Sequence, residues 1–215
     1  MRAVLDGLGA TPRLLALGAH SDDIEIGCGG TLLALAERHP GAVVDWVVFS
    51  AFGEREAEAR ASAADFCGGL DVRVEVCAVP ENVFPWHGPE LKAQLEAIKA
   101  RGAPDLVFTH WRGDAHQDHR TIGELTLNTF RDQLVLEYEV PKFDGDLGRP
   151  SVYAALAPDV VDRKVELLLK HFPSQHHRAW FEPEVFRSLA RLRGVECVAD
   201  SGYAEAFHPR KLRLL

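Results

Sequence analysis

Two short stretches of this chain gather side chains of the kind that bind metals and move protons. The first, Ala19-His20-Ser21-Asp22-Asp23-Ile24-Glu25-Ile26-Gly27-Cys28-Gly29-Gly30-Thr31, packs one imidazole and three carboxylates into six residues. The second, Asp114-Ala115-His116-Gln117-Asp118-His119-Arg120, flanks an acid with two histidines. A mononuclear catalytic zinc site takes about three protein ligands from His and carboxylate and leaves a position for water. His20 and Asp23, three apart, supply two, and a histidine of the second stretch supplies the third. Such a nitrogen and oxygen set suits Zn²⁺ and accepts Fe²⁺ as well, whereas Cys28 lies too far into the glycine-rich turn to serve. Asp22 then stands beside a bound water as a general base, and the remaining histidine can donate to a developing oxyanion. Together these groups form a kit for metal-assisted hydrolysis of an amide or ester.

The elements that must position these groups alternate along the chain. Arg13 to Ala19 reads as a buried strand, Gly29 to His39 as a helix stopped by Pro40-Gly41, and Ala42 to Phe49 as a second strand. Helices follow at Glu54 to Cys67, Glu90 to Arg101 and Asp118 to Arg131, with strands at Asp71 to Val79 and Pro104 to Thr109. Pro80 to Pro89 and His110 to Gln117 read as loops. Beyond them Leu134 to Val140 and Ser151 to Leu156 are strand-like, and Val160 to His171 and Glu184 to Arg193 are helical. This order predicts an α/β fold, a Rossmann-like three-layer α/β/α sandwich with a mostly parallel sheet, in one domain spanning residues 1–215. In the usual strand order the first and fourth strands are neighbours, so the His20 and His116 loops face each other across the crevice.

Composition narrows the partners. The chain has 215 residues, 47% of them hydrophobic, and a formal charge of -8, which argues against a nucleic-acid or anionic-membrane surface. The one basic cluster, Arg210-Lys211-Leu212-Arg213, is too short to reverse that. No membrane span and no leader is read, Met1 to Asp6 lacking an apolar run, and Cys28, Cys67, Cys77 and Cys197 form no CxxC pair. A reduced, cytoplasmic protein with cysteines as core fillers is expected, and a homo-oligomer is left open.

The two stretches, taken together and in this order, resemble the PIG-L/LmbE family of zinc-dependent sugar N-deacetylases. The likeness continues through Ser174-Gln175 and Tyr203-Ala204-Glu205-Ala206-Phe207 and so runs over nearly the whole chain. It implies an N-acetylglucosamine-type conjugate as small-molecule substrate, with His20, Asp23 and His119 as metal ligands and Asp22 as general base. It further implies that His116 steadies the tetrahedral intermediate and that Asp118 is the carboxylate that orients His116. One position departs: where the family usually has Pro between the His and the Asp pair, this chain has Ser21, which does not fix φ. A related hydrolase of another amide, antibiotic or lipid-linked, would share these residues, and a silent binding module would keep them without turnover.

Other residues carry weaker signals. Asp22, Asp23 and Glu25 could simply compensate a helix N-terminus, and for Glu25 that reading is preferred. Gly27-Cys28-Gly29-Gly30 does not follow the strand as a dinucleotide fingerprint must, and its glycines suit tight turning and close packing. Arg55, after the second strand, would point into the crevice and could grip a sugar hydroxyl or an anion. His176, His177 and His208 are weaker candidates for substrate contact, and Phe84, Trp86 and Trp180 for an aromatic wall.

Overall fold

The structure, a computed structural model, describes residues 8–212. Met1 to Asp6 and Arg213 of the basic cluster lie outside them. Seven strands form one sheet: β1 (Arg13–Gly18), β2 (Val43–Val48), β3 (Asp71–Val76), β4 (Leu106–His110), β5 (Leu134–Tyr138), β6 (Val152–Leu156) and β7 (Tyr203–Pro209), in the order β3-β2-β1-β4-β5-β7-β6. The first five strands pair in parallel, and β7 runs antiparallel to both β5 and β6. The fold is thus the expected Rossmann-like α/β architecture, and β1 and β4 do lie side by side.

The apolar strands are covered on both faces, which is why they read as continuous hydrophobic runs. Along β1, Leu14 and Ala16 enter one core and Leu15 and Leu17 the other. The first core is closed by α1 (Asp23–Arg38), α2 (Glu54–Phe66), α5 (Pro158–His171) and α6 (Pro183–Glu196). The second is closed by α3 (Gly88–Ala100), through Leu91, Leu95 and Ile98, and by α4 (Gln117–Thr129), through Ile122. Among the described residues no helix is long and apolar enough to cross a membrane. All four cysteines are free, three of them buried.

Two expectations about elements need correction. Helix α1 starts at Asp23, not at Gly29, so the glycines lie inside the helix and make no turn. Their low helix propensity is overridden by packing: a Cβ on Gly27 would fall on the Tyr138 ring, and one on Gly29 on the Phe66 ring. The Asp23 carboxylate in the first turn, and the Ile26 N–H donating to Asp22 O, start the helix at the end of the loop. Glu25, by contrast, is fully buried and burial pushes its carboxyl well up, so it does not serve as the dipole-compensating charge expected of it. Strand β7 is the other correction, because Tyr203 to Phe207 had been read only as part of the family likeness.

Glu205 of β7 explains why that segment matters. Its carboxylate accepts from Gly30 N (2.9 Å), Thr31 N (2.7 Å) and Thr31 Oγ1 (2.6 Å), and pairs with Lys164 of α5 at 2.6 Å. Lys164 Nζ also donates to Ile26 O at 2.6 Å. A buried ion pair from two distant elements is therefore tied to the backbone of α1, whose first turn carries the acidic pair.

Candidate metal centre

At the carboxyl ends of β1 and β4, His20, Asp23 and His119 converge. His20 Nδ1 lies 3.2 Å from His119 Nε2, and Asp23 oxygens lie 3.4 Å from each of these nitrogens. Bonds of about 2.0–2.1 Å at tetrahedral angles separate ligand atoms by about 3.3–3.4 Å, and the contacts here have about that length, the one to His20 made by Asp23 Oδ2 and the one to His119 by Oδ1. The opposite nitrogen of each ring is held by a carboxylate: His20 Nε2 by Asp118 at 3.1 Å and His119 Nδ1 by Asp114 at 2.9 Å. That arrangement fixes the tautomer and aims the free nitrogen at the common point. Asp23 is fixed in turn, its Oδ2 accepting from His20 N at 2.7 Å and lying 3.2 Å from His110 Nε2.

Two further trios, His20-His116-Asp118 and His110-Asp114-His119, also bring donor atoms together. In both, the carboxylate is already engaged in orienting a histidine of the first trio. The first trio is therefore the one whose donors remain free to share an ion.

The electrostatics follow from four nearly buried carboxylates, Asp22, Asp23, Asp114 and Asp118, crowded around imidazoles. Burial pulls the His20 pKa down, but hydrogen bonds to Asp118 and Asp23 outweigh it and carry it up to about 10. His119 is raised for the same reason by Asp23 and Asp114, against its burial. Burial works against Asp23 and Asp114 too, yet the neighbouring imidazoles hold both well below the carboxylate range. His110 is pushed down to about 4 by burial and by His119, and stays neutral. Arg55 beside Asp22 and Lys142 beside Asp114 add positive charge at the edge of the cluster.

Asp22 and His116 flank this cluster. Burial raises the Asp22 carboxyl, and the Arg55 guanidinium opposes the rise from 2.8 Å. Asp22 Oδ1 takes that bond, and its Oδ2 has no protein donor among the described residues. His116 caps α4, its Nδ1 accepting from Asp118 N at 3.2 Å, so the proton resides on Nε2. Burial and the cations of His119 and His20 lower its pKa, which keeps the ring neutral.

Three expectations are altered by this geometry. The Asp118 carboxylate does not orient His116; it binds His20 Nε2, Asn82 N (2.6 Å) and Phe84 N (3.1 Å). The reason is local, since His116 uses Nδ1 as the helix cap while Asp118, in the first turn, points back into the cluster. Arg55 does not project freely into the crevice but binds Asp22 and Ser21. The weaker candidates are occupied elsewhere: His208 stacks on Trp111, and His176 Nε2 meets Leu169 O at 3.0 Å. Phe84 is buried 6.0 Å from the His20 ring, Trp86 is exposed, and Trp180 packs on Phe181.

Residues that spacing alone did not assign are His110, Asp114 and Lys142. Asp114 sits inside the second stretch, five residues before His119, and that acid was the available signal. Lys142 comes from the loop after β5 and meets Asp114 Oδ1 at 3.0 Å, a contact only the folded chain creates.

An α/β sheet carrying a His-Asp-His cluster at the carboxyl ends of adjacent strands is an arrangement that could hold a metal ion. The sequence profile of PIG-L, described as GlcNAc-PI de-N-acetylase, matches residues 15–130, from β1 past both stretches. The chain belongs to this family of deacetylases. It is 25% identical over 181 residues to the uncharacterized deacetylase YaiS of Escherichia coli K12, covering 79% of this chain and 95% of that protein. In fold it resembles the 4-carboxy-2-hydroxymuconate hydratase GalB of Pseudomonas putida KT2440, with a TM-score of 0.76 and 20% identity over 95% of this chain and 98% of that one. It also resembles the N,N'-diacetylchitobiose deacetylase of Pyrococcus horikoshii, with a TM-score of 0.68 and 18% identity over 92% and 83% of the two chains.

Proposed function

We propose that this chain is a single-domain, zinc-dependent N-deacetylase that removes the acetyl group from an N-acetylglucosamine-type conjugate, giving acetate and a free amine. The observation that carries the reading is the His20-Asp23-His119 trio, spaced for a tetrahedral ion with each imidazole backed by its own carboxylate. Family membership supports amide hydrolysis, and the family's description and the chitobiose deacetylase of the same fold support an acetylated amino sugar.

His20, Asp23 and His119 would hold the ion. When bound, Zn²⁺ supplies a Lewis acid for the amide carbonyl and lowers the pKa of water. Asp22 Oδ2 accepts the proton of the attacking water as its oxygen bonds to the carbonyl carbon. His116 Nε2–H donates to the carbonyl oxygen as negative charge builds there. When the C–N bond breaks, the electron pair stays on nitrogen, and Asp22 returns its proton to that nitrogen. His116, being neutral, is the poorer source of that proton. The same ligand set would take Fe²⁺, and zinc is preferred for its tetrahedral habit. A cytoplasmic setting agrees with four unpaired cysteines.

Metal content by elemental mass spectrometry, alongside acetate release from N-acetylglucosamine conjugates and other acetylated amines, tests this reading. Wild type should carry about one metal per chain, His119→Ala should lose it, and Asp22→Asn should keep metal while losing most turnover. Full turnover in Asp22→Asn would remove Asp22 as the base. A wild type that stays free of metal after reconstitution would overturn the reading.

A further inference from the structure

Among the described residues, Arg55 is the one side chain that donates to the Asp22 carboxylate. Its guanidinium is held at two points of a single edge: Nε donates to Ser21 Oγ at 2.8 Å and Nη2 to Asp22 Oδ1 at 2.8 Å. On the other side, Nη1 lies 3.7 Å from Glu81 Oε1. Ser21 is fully buried and Asp22 nearly so, whereas the Glu81 side chain is 37% exposed.

Two carboxylates thus compete for one cation, and the buried one is the reactive one. A guanidinium pinned at one point can swing about that bond. Pinned at two points of its rigid fork, its plane is set. The hydroxyl of Ser21 is the second point, and it is a neutral acceptor that draws the Nε edge inward against the pull of Glu81. Arg55 belongs to the first turn of α2 and Ser21 to the loop between β1 and α1, so the clamp also joins two neighbouring β–α units.

We propose that Ser21 is a positioning residue for Asp22 and acts through Arg55. The hydroxyl sets the plane of the guanidinium, the guanidinium holds Asp22 Oδ1, and Oδ2 is left turned to the reacting water. The proposal rests on Asp22 being the base, as inferred above.

The test uses the zinc-loaded full chain and measures kcat and KM for acetate release, with zinc content and Tm recorded for each variant. Ser21→Ala should lower kcat about tenfold with KM and zinc content unchanged, as expected when a reacting group loses its alignment. Arg55→Ala should lose more, and millimolar guanidinium should restore part of it by refilling the vacated position. The same guanidinium should restore far less in the Ser21→Ala/Arg55→Ala double variant, because the second anchor is gone. Wild-type kcat in Ser21→Ala, a loss confined to KM, or equal rescue in the single and double variants would each overturn the proposal. Active wild type with an unaffected Ser21→Ala sinks this proposal alone, whereas wild type that releases no acetate from any acetylated sugar takes the deacetylase reading down with it.

Discussion

Replacing Asp114 with Asn should weaken zinc binding without unfolding the chain, and the reason can be worked atom by atom. Asp114 Oδ2 accepts from His119 Nδ1 at 2.9 Å, while Oδ1 accepts from His116 N at 2.8 Å and meets Lys142 Nζ at 3.0 Å. Both oxygens face donors, and Asn offers only one oxygen. If the amide oxygen stays with His116 N and Lys142, the NH₂ faces His119 Nδ1 and drives the ring proton to Nε2, the atom needed for the metal. If the oxygen turns to His119 instead, the NH₂ meets a backbone N–H and an ammonium. Either orientation should cost about 10–100-fold in metal affinity, the range seen when the carboxylate behind a ligating histidine is lost. That is about 1.4–2.8 kcal/mol. The assay is competition for zinc against a chromophoric chelator, with circular dichroism to show that the fold persists. A dissociation constant within about threefold of wild type would refute the claim that Asp114 fixes the metal-facing tautomer of His119.

Zinc binding should release protons, because the metal-free His20 carries its proton up to about pH 10 and must lose it to become a ligand. Apparent affinity should therefore rise with pH between about 6 and 9, and calorimetry in buffers of different ionisation enthalpy should find at least about one proton released per zinc at pH 7. No proton release would remove the protonated His20 from the metal-free state. The same raised pKa stabilises the metal-free fold fully below the unfolded value of about 6.5 and is lost as pH climbs towards 10. Metal-free Tm should fall over that window, and saturating zinc should flatten the fall. Glu205→Gln should destabilise the chain by about 3–5 kcal/mol, since it leaves Lys164 buried without its anion. Urea unfolding would measure it, and a loss below about 1 kcal/mol would mean that the pair does not brace α1.

Much of this protein is legible from residue order because the relevant forces are local. Apolar runs of four to eight residues, alternating with helical periods, dictate β1 to β5 and a parallel sheet, and the two polar stretches fall at strand ends. His20 and Asp23 lie within a turn of each other, so a shared ligand is visible from their spacing alone. The start of α1 was not visible, because Gly27 and Gly29 look like a turn until Tyr138 and Phe66 press against them. Burial against distant rings overrode local propensity, and no local pattern encodes those rings.

What the sequence determined by itself is therefore the kind of chemistry, the order of elements and the loops on which the reactive groups ride. Which group serves which was decided only by the tertiary structure. Asp118 turned from its neighbour His116 to His20, 98 residues away, and Arg55 is taken up at the cluster by Asp22 and Ser21. Lys142 entered from a segment with no chemical signature of its own, and Glu205 from one that the family likeness covered without giving it a role. The physical reason is that a buried carboxylate takes the donors within its reach, and those donors are set by how the strands and helices pack rather than by distance along the chain.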